Sequence, residues 1–448
     1  MNIYITFTLA VTALATPLAA TGQVTEVPLT LAEAEQAALD GNRSLAAAEA
    51  RADAADLGAE SRGGFLMPSL QATAGVVRTD DPVGVFGTKL RQRAFTEADF
   101  DIVALNDPDA VTDWTAGLGA RWDIAQFDRW AERDAGRAES RAARAAFDRT
   151  REGATFRTRL LYVAALRAAS ALDALEAAEA SAEATLERVD LRVEQGRGTN
   201  ADRLQAEAAL SGLRARVLRA RANLANAREE LGSHLGWPAD RLPVPSEGAD
   251  VLNAYQPPDA IGHEQLLARA DLAAGRAGVE AAEAHAGVVS ARRLPKLEAF
   301  GHLSGHTPGF GDGLEWNWTA GVQLSLPIFT GFSLSRGAAA AEAQARALSL
   351  EQRQRELEAA SEVSAARRSV EASRAALEAA RTAAAAADEA ARLLQRRYEE
   401  GVATVADLLQ AEAWATELAT GVVDAEANLS MALATLAFAQ GQQAGPQS

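Results

Sequence analysis

The chain carries one passage twice. Residues 192–207, RVEQGRGTNADRLQAE, return as residues 397–412, RYEEGVATVADLLQAE. Gly196 and Gly401 are 205 residues apart, and Thr199, Asp202, Leu204, Gln205 and Glu207 reappear at that offset as Thr404, Asp407, Leu409, Gln410 and Glu412. Upstream, Trp114-Thr115-Ala116-Gly117 answers Trp318-Thr319-Ala320-Gly321, and Pro68-Ser69-Leu70 more loosely answers Pro295-Lys296-Leu297. A duplication on this scale means that both halves follow one plan, so any acceptable fold must build the same series of elements twice.

The hydrophobic period changes in the same order in each half. The first repeat, 23–232, reads as a helix at about 31–62, strands at about 69–78 and 113–123, a long helix at about 129–195 and a half-length helix at about 200–232. The second, 261–440, repeats this with a helix at about 262–292, strands at about 297–304 and 316–326, and helices at about 336–400 and 404–440. Between them, the Pro- and Gly-bearing segment 233–260 reads as an equatorial linker, and 441–448 as a flexible C-terminal tail.

Two of the strands alternate cleanly. Trp114, Ala116, Leu118, Ala120, Trp122 and Ile124 point one way, against Asp113, Thr115, Gly117, Gly119, Arg121 and Asp123. Trp316, Trp318, Ala320, Val322, Leu324 and Leu326 oppose Asn317, Thr319, Gly321, Gln323 and Ser325. Membrane β-strands of ~9–11 residues alternate in this way, with Trp at the interfaces, so Trp114, Trp122, Trp316 and Trp318 are candidate membrane-interface aromatics. An amphipathic strand in a soluble sandwich alternates too. Counting favours the membrane: four strands fall short of the ~8 that close the smallest barrel, and an open edge is not tolerated in lipid. Other copies must then complete the barrel, two giving 8 strands and three giving 12.

The long helices are about 100 Å each at ~1.5 Å per residue, and each is matched in length by two short ones. A long helix would descend from the strands, turn at the Gly-x-x-Thr tip and return only halfway. Leu172, Leu175, Ala182, Leu186, Val189 and Val193 follow 3-and-4 spacing around a polar Glu179, and Val363, Val370, Leu377, Ala384 and Ala391 repeat every seven residues. That period predicts supercoiling against neighbouring helices.

Composition removes several classes. A net charge of −17 argues against a nucleic-acid partner. With no Cys, the chain lacks disulfides, thiolate metal sites, thiol nucleophiles and a lipidated N-terminal Cys. Residues 1–22 read as a signal peptide, an apolar run ending in small residues but without Lys or Arg; the alternative is a short N-terminal anchor. Beyond residue 25 no stretch approaches the ~20 apolar residues of a spanning helix, so strands would have to make any crossing. His302 and His306 are i,i+4 on a strand and do not form a helical zinc pair; they read as surface or lumen histidines. Gly309–Gly313 reads as a hairpin turn rather than a phosphate loop. No enzyme, cofactor or metal site is expected.

With these residues assembled, the chain resembles the TolC-type outer membrane efflux proteins. The resemblance is carried by LTLAEAEQAALDGNRSL near the N-terminus, GFLMPSL entering the first strand, VFGTKLRQRAFTEADFDIVALNDPDAVTDW as the long loop between the first two strands, LSLPIFTGF leaving the fourth strand, and the tips EQGRGTNADRLQAEA and EEGVATVADLLQAEA. One departure is visible: the Gly-rich strand exit FTGF at 329–332 corresponds to AQFDRW at 125–130.

The resemblance implies a mainly α fold of long antiparallel coiled-coil helices in two repeats, with a homotrimeric 12-stranded barrel in outer membrane lipid and a large periplasmic portion. It implies the exit duct of a tripartite pump, working with a periplasmic adaptor (membrane fusion) protein and an inner-membrane RND or ABC transporter to pass drugs, toxic compounds or metal ions. A type I protein secretion duct shares that architecture; a periplasmic adaptor or soluble coiled-coil scaffold is the reading of another class. The family's periplasmic gate maps to Asp407 as a ring aspartate, Gln410 in place of a second, Tyr398 and Asp202 as a closing link, and Ala403 in place of a linking arginine. Gly196, Thr199, Leu204, Gly401, Thr404 and Leu408 would form the adaptor-docking tips. Independently of any family, acids in the first turn of a helix complement its dipole, which is a sufficient role for Asp202 and Asp407.

Overall fold

A computed structural model describes residues 25–64, 67–248, 251–252 and 261–441. The expected signal peptide, most of the expected tail, and residues 249–250 and 253–260 of the expected linker lie outside the described residues. The described chain is mainly α. Strand β1 (Thr25–Leu29) leads into helices α1 (Leu31–Gly41) and α2 (Arg43–Ser61), then β2 (Ser69–Thr79), α3 (Pro82–Arg91), α4 (Ile102–Asn106) and β3 (Val111–Gln126). Helices α5 (Phe127–Glu194) and α6 (Asn200–His234) complete the first repeat, and β4 (Arg241–Pro245) follows. The second repeat is α7 (His263–Leu267), α8 (Ala270–Ala291), β5 (Lys296–Thr307), β6 (Glu315–Ser325), α9 (Ser333–Glu399) and α10 (Val405–Ala439). Helices α5 and α9 have 68 and 67 residues, and α6 and α10 have 35 each.

Two compact units divide these elements. One holds the described residues of segments 1–42, 157–254 and 373–431; the other holds those of 43–156, 255–372 and 432–448. In the first, the tip unit, β1 and β4 form a small parallel pair. Tyr162 Oη donates to the Leu29 carbonyl at 2.9 Å, and the Leu31 amide donates to Glu247 at 2.6 Å. Lower in this unit the 3-and-4 stripe of α5 is buried where expected: Leu175 packs with Val217 and Ala220 of α6, flanked by Leu172 and Leu213. Glu179, the polar intruder, pairs with Arg214 at 3.3 Å.

The second, the strand unit, contains a four-stranded antiparallel sheet in the order β2–β3–β5–β6. Its register aligns side chains of one kind across all four strands. One rung reads Ala72–Leu118–Leu303–Trp318, and those on either side read Leu70–Ala120–Gly301–Ala320 and Ala74–Ala116–Gly305–Trp316. The interleaved rungs Gln71–Gly119–His302–Thr319 and Thr73–Gly117–Ser304–Asn317 face the other way. The strand alternation therefore survives pairing as one apolar and one polar sheet face. Among the described strands, β2 and β6 each pair on one side only.

Four local features depart from the sequence expectation. The helix expected at 31–62 breaks at Asn42, where the backbone turns extended and the side chain donates to the His234 carbonyl at 2.9 Å. The backbone is tight here: a Cβ on Gly41 would lie 2.3 Å from the Leu235 carbonyl oxygen. The helix expected at 262–292 breaks at Arg269, whose buried guanidinium donates to Asp271, to Glu362 and to the Ala439 carbonyl. The segment between β2 and β3, expected as a loop, contains α3, a 3-10 turn at Glu97–Phe100 and α4. Finally, α10 is long and apolar enough to cross a bilayer, against expectation, yet half of its most apolar stretch is buried inside the protein, and Ala427, Leu433 and Leu436 are among its buried residues.

The first strand exit, where FTGF has no counterpart, is built differently from the second. A β-bulge between Asp123 and Ala125 turns β3 directly into α5, whereas β6 reaches α9 through left-handed Gly331 and Phe332. The bulge supplies the bend that the missing glycine would have made.

Candidate functional site

The duplicated motif folds into two matching helix turns at the ends of α5 and α9. At each, a left-handed glycine ends the helix: Gly196 with φ 71° and Gly401 with φ 81°. The Gly196 amide donates to the Val193 carbonyl and the Arg197 amide to the Arg192 carbonyl; Gly401 and Val402 repeat this on Tyr398 and Arg397. These are Schellman endings, which use glycine because an L side chain strains in that conformation. Three residues later the next helix begins with a capping box. Thr199 Oγ1 and the Thr199 amide donate to Asp202 Oδ2 at 2.8 Å each, and the Asp202 amide donates back to Thr199 Oγ1 at 3.2 Å. Thr404 and Asp407 do the same at 2.7–3.1 Å. The recurrence of Gly, Thr and Asp in both repeats is thus accounted for by a helix stop and start placed back to back.

Behind the tips lies a small core that joins the α5–α6 hairpin to the α9–α10 hairpin. Val189, Ala206, Tyr398, Val405 and Leu408 are buried together, with Leu186, Val193, Ala403 and Leu409 against them. Leu408 is 0 % exposed whereas Leu204 is 53 % exposed. Leu408 as an adaptor-docking contact is therefore corrected: at the repeat offset Leu204 corresponds to Leu409, and Leu408 fills the core. Ala403, which stands where the resemblance would place a linking arginine, is partly buried against this core.

Tyr398 and Asp202, the expected closing link, are close enough to interact electrostatically, but no hydrogen bond joins them within the chain. The carboxylate is held by Thr199 instead. Burial pushes the Tyr398 hydroxyl above its ordinary pKa; Arg192 and Arg188 pull it down and Asp202 pushes it up. Two cations, not one, serve this junction. Arg192 places its guanidinium 4.6 Å over the Tyr398 ring and donates to the Tyr398 carbonyl, and Arg188 pairs with Glu399 at 3.3 Å. Sequence reasoning missed both arginines because they sit on α5 while their partners sit on α9, about 200 residues away. Asp407 and Gln410 are exposed on α10. The Thr404 hydroxyl and amide, helped by Arg397, hold the Asp407 carboxyl below its ordinary range, so it is charged at neutral pH. One turn further along, Glu412 is pushed the other way, raised by burial against the opposing effects of Thr185 and Arg188.

In the strand unit the four candidate interface aromatics share the apolar sheet face. Trp114 and Trp316 lie toward the end where β2–β3 and β5–β6 connect, Trp122 toward the helix end, and Trp318 between. Trp122, Trp316 and Trp318 are exposed, and Trp114 meets Phe310 edge-on at 5.2 Å. At the helix end, exposed Phe127, Trp130, Phe329 and Phe332 add a second aromatic group. The segment Gly309–Gly313 makes the β5–β6 connection, with Gly311 at φ 96°. His306, expected at the surface or lumen, is buried on the polar face, with Nδ1 2.7 Å from Asp113 Oδ2.

The sequence matches the family described as outer membrane efflux protein over residues 34–237 and 261–442. It is 24% identical over 308 residues to the outer membrane protein TolC of Vibrio cholerae, covering 67% of this chain and 65% of that one. It is 28% identical over 301 residues to the pyoverdine export outer membrane protein OpmQ of Pseudomonas aeruginosa, covering 66% and 60%. The matched region thus spans under two-thirds of the length of these curated relatives. The crystal structure of the outer membrane protein VceC from Vibrio cholerae superposes with a TM-score of 0.74 at 21% identity, covering 92% of this chain and 96% of that chain, which establishes a shared fold.

Proposed function

From the premise that this chain belongs to the outer membrane efflux protein family, we propose that three copies form one 12-stranded barrel and one helical duct, the passive exit of a tripartite efflux pump for small molecules. Membership in that family places the chain in the outer membrane. The observation that carries the oligomeric reading is the sheet: four strands with one continuous apolar, exposed face and two outer strands paired on one side only. Such a sheet is stable in lipid only if its edges are closed by further copies, and an antiparallel order of four per chain closes without a parallel joint. Exposed Leu350 and Leu357 on α9, seven residues apart, supply a heptad seam for a neighbouring copy.

The relative OpmQ is named for pyoverdine export, which supports an outward conduit. The duct itself does no chemistry on what passes; a periplasmic adaptor and an inner-membrane RND or ABC transporter supply recognition and energy. At the tips, Asp407 and Gln410 line the periplasmic gate. Three symmetry-related Asp407 carboxylates, kept ionised by Thr404, would repel one another and attract cations across a narrow opening. Gly196, Thr199, Leu204, Gly401 and Thr404 form the tip surface offered to the adaptor. The test is reconstitution in planar bilayers after native mass has shown a trimer. Asp407→Ala is expected to lower cation selectivity and divalent block; unchanged values would remove Asp407 from the gate, and a detergent-independent soluble monomer would remove the channel.

A further inference from the structure

The segment between β2 and β3 presents an apolar helix face that the described residues leave largely exposed. Helix α3 lies across the polar face of the sheet at the end remote from the long helices. Gln92 Nε2, just past its C-terminus, donates to the Thr112 carbonyl and to Asp113 Oδ1, both at 2.9 Å. Asn317 Nδ2 of β6 donates to the Arg91 carbonyl at 3.3 Å, and Arg93 pairs with Glu315 at 3.0 Å. Asp113, Asn317 and Glu315 all belong to the polar rungs, so the helix is folded over the face that a closed barrel turns inward. Asp113, which accepts from Gln92, is also bonded through its other oxygen to the buried His306.

Val85, Thr88 and Gln92 are the buried positions. At ~3.6 residues per turn, Val83, Phe86 and Leu90 fall on nearly the opposite side of the helix. Val83 is 79% exposed and Leu90 49%. The segment is a braced body rather than a loose loop. Phe95 meets Phe86 and Phe100 edge-on at 4.9 and 5.2 Å, Lys89 pairs with Asp99 at 2.6 Å, and these contacts with Thr96 hold the Asp99 carboxyl down at about 2.

We propose that the Val83–Phe86–Leu90 faces of α3 from three copies of this chain meet about the barrel axis and narrow its outer mouth. The inference rests on the trimer proposed above. Its occupant, a second and third copy, follows from direction and from size. The stripe points away from the sheet's polar face, hence away from lipid and toward the axis. Twelve strands ~4.8 Å apart and tilted ~40° enclose a backbone radius of roughly 12 Å, and a helix is ~10 Å across, so a helix on the inner wall reaches close to the axis. Symmetry brings two more such helices to the same place, and apolar side chains facing water there gain by meeting one another.

The chain has no cysteine, so single cysteines report without background. In detergent-purified trimers, verified by native mass, Val83→Cys and Leu90→Cys are each to be treated with a short bis-maleimide. Trp318→Cys, on the lipid face, is the control. The expected result is a crosslinked dimer holding up to about two-thirds of the chains at either position, one cysteine of three being left over, and none at Trp318→Cys. Intact trimers whose Val83→Cys and Leu90→Cys stay uncrosslinked overturn the proposal, whether they label freely or are shielded by some other molecule. So does crosslinking at Trp318→Cys to the same extent. Failure of the trimer itself shows in the mass before any crosslinker is added.

Discussion

The guanidinium of Arg192 lies 4.6 Å over the ring of Tyr398 and donates to the carbonyl of the same residue, tying the end of α5 to the end of α9. This contact joins the two helical hairpins at the tips that are proposed to gate the duct. A cation–π contact contributes about 0.5–2 kcal/mol and a charged hydrogen bond about 1.5–3. Removing both with Arg192→Ala is expected to shift a closed–open balance by roughly tenfold or more toward open, at about 1.4 kcal/mol per decade. The check is single-channel open probability in bilayers, with Arg192→Lys recovering part of the closure. An unaltered open probability in both variants would show that the two hairpins are held by other contacts.

Leu408 and Leu204 separate tip stability from tip docking. Leu408→Ala empties a fully buried position between Val189, Tyr398 and Val405, a change that costs about 2–5 kcal/mol. Leu204→Ala removes a side chain that is mostly in solvent and should cost no more than about 0.5 kcal/mol. Limited proteolysis of the intact trimer is expected to cut Leu408→Ala at the tips and to spare Leu204→Ala. Binding of a purified adaptor should weaken for Leu204→Ala if that residue docks it.

Glu412 makes the tip unit sensitive to pH. It accepts from Thr185 Oγ1 at 2.8 Å, and burial raises its pKa above the ordinary value. A carboxyl raised in the folded state favours folding below the ordinary range, ~4.3, and loses that contribution as pH rises through its folded value. Glutamine keeps the acceptor and never ionises. Glu412→Gln should therefore raise the midpoint of thermal unfolding at pH 7–8, with the gain fading as pH falls through the raised value and absent below pH ~4. A gain that persists unchanged at acid pH would point to packing rather than ionisation.

The parts of this fold that are legible in sequence are those fixed by local chemistry or by period. The long helix expected at 129–195 is observed at Phe127–Glu194 because its boundary is written locally, in the Schellman glycine at 196 and the Thr199–Asp202 box. The strands were legible because alternation on one strand is preserved by register on the next. What escaped depends on contacts remote in sequence. Asn42 breaks its helix for a carbonyl 192 residues away, and Arg269 breaks another to reach Glu362. Leu204 and Leu408 look alike as tip leucines, and only three-dimensional packing sends one to solvent and the other inside. Arg192 carries no motif, and its meaning comes from Tyr398 on another hairpin. The burial of His306 is not legible either, because its partner Asp113 lies 193 residues away on β3.

Adjacent residues on β6 separate a lipid-facing sheet from a water-exposed sandwich. Ala320 sits in the apolar rung with Leu70, Ala120 and Gly301, while Thr319 sits in the polar rung with Gln71, Gly119 and His302. An arginine on the lipid face of a membrane barrel costs about 2–4 kcal/mol at the midplane, and the trimer would incur it three times, whereas one on the lumen face meets water. Ala320→Arg is expected to abolish or sharply lower the yield of heat-modifiable trimer in outer membrane fractions, and Thr319→Arg to assemble and lower conductance to cations. In a soluble sandwich the apolar face would be either packed against protein or in water, and there Ala320→Arg would leave assembly in membranes unchanged because there would be none to lose. The ordering of the two variants, judged by gel migration with and without heating, thus tests at a single peptide unit whether the apolar face of this sheet meets lipid.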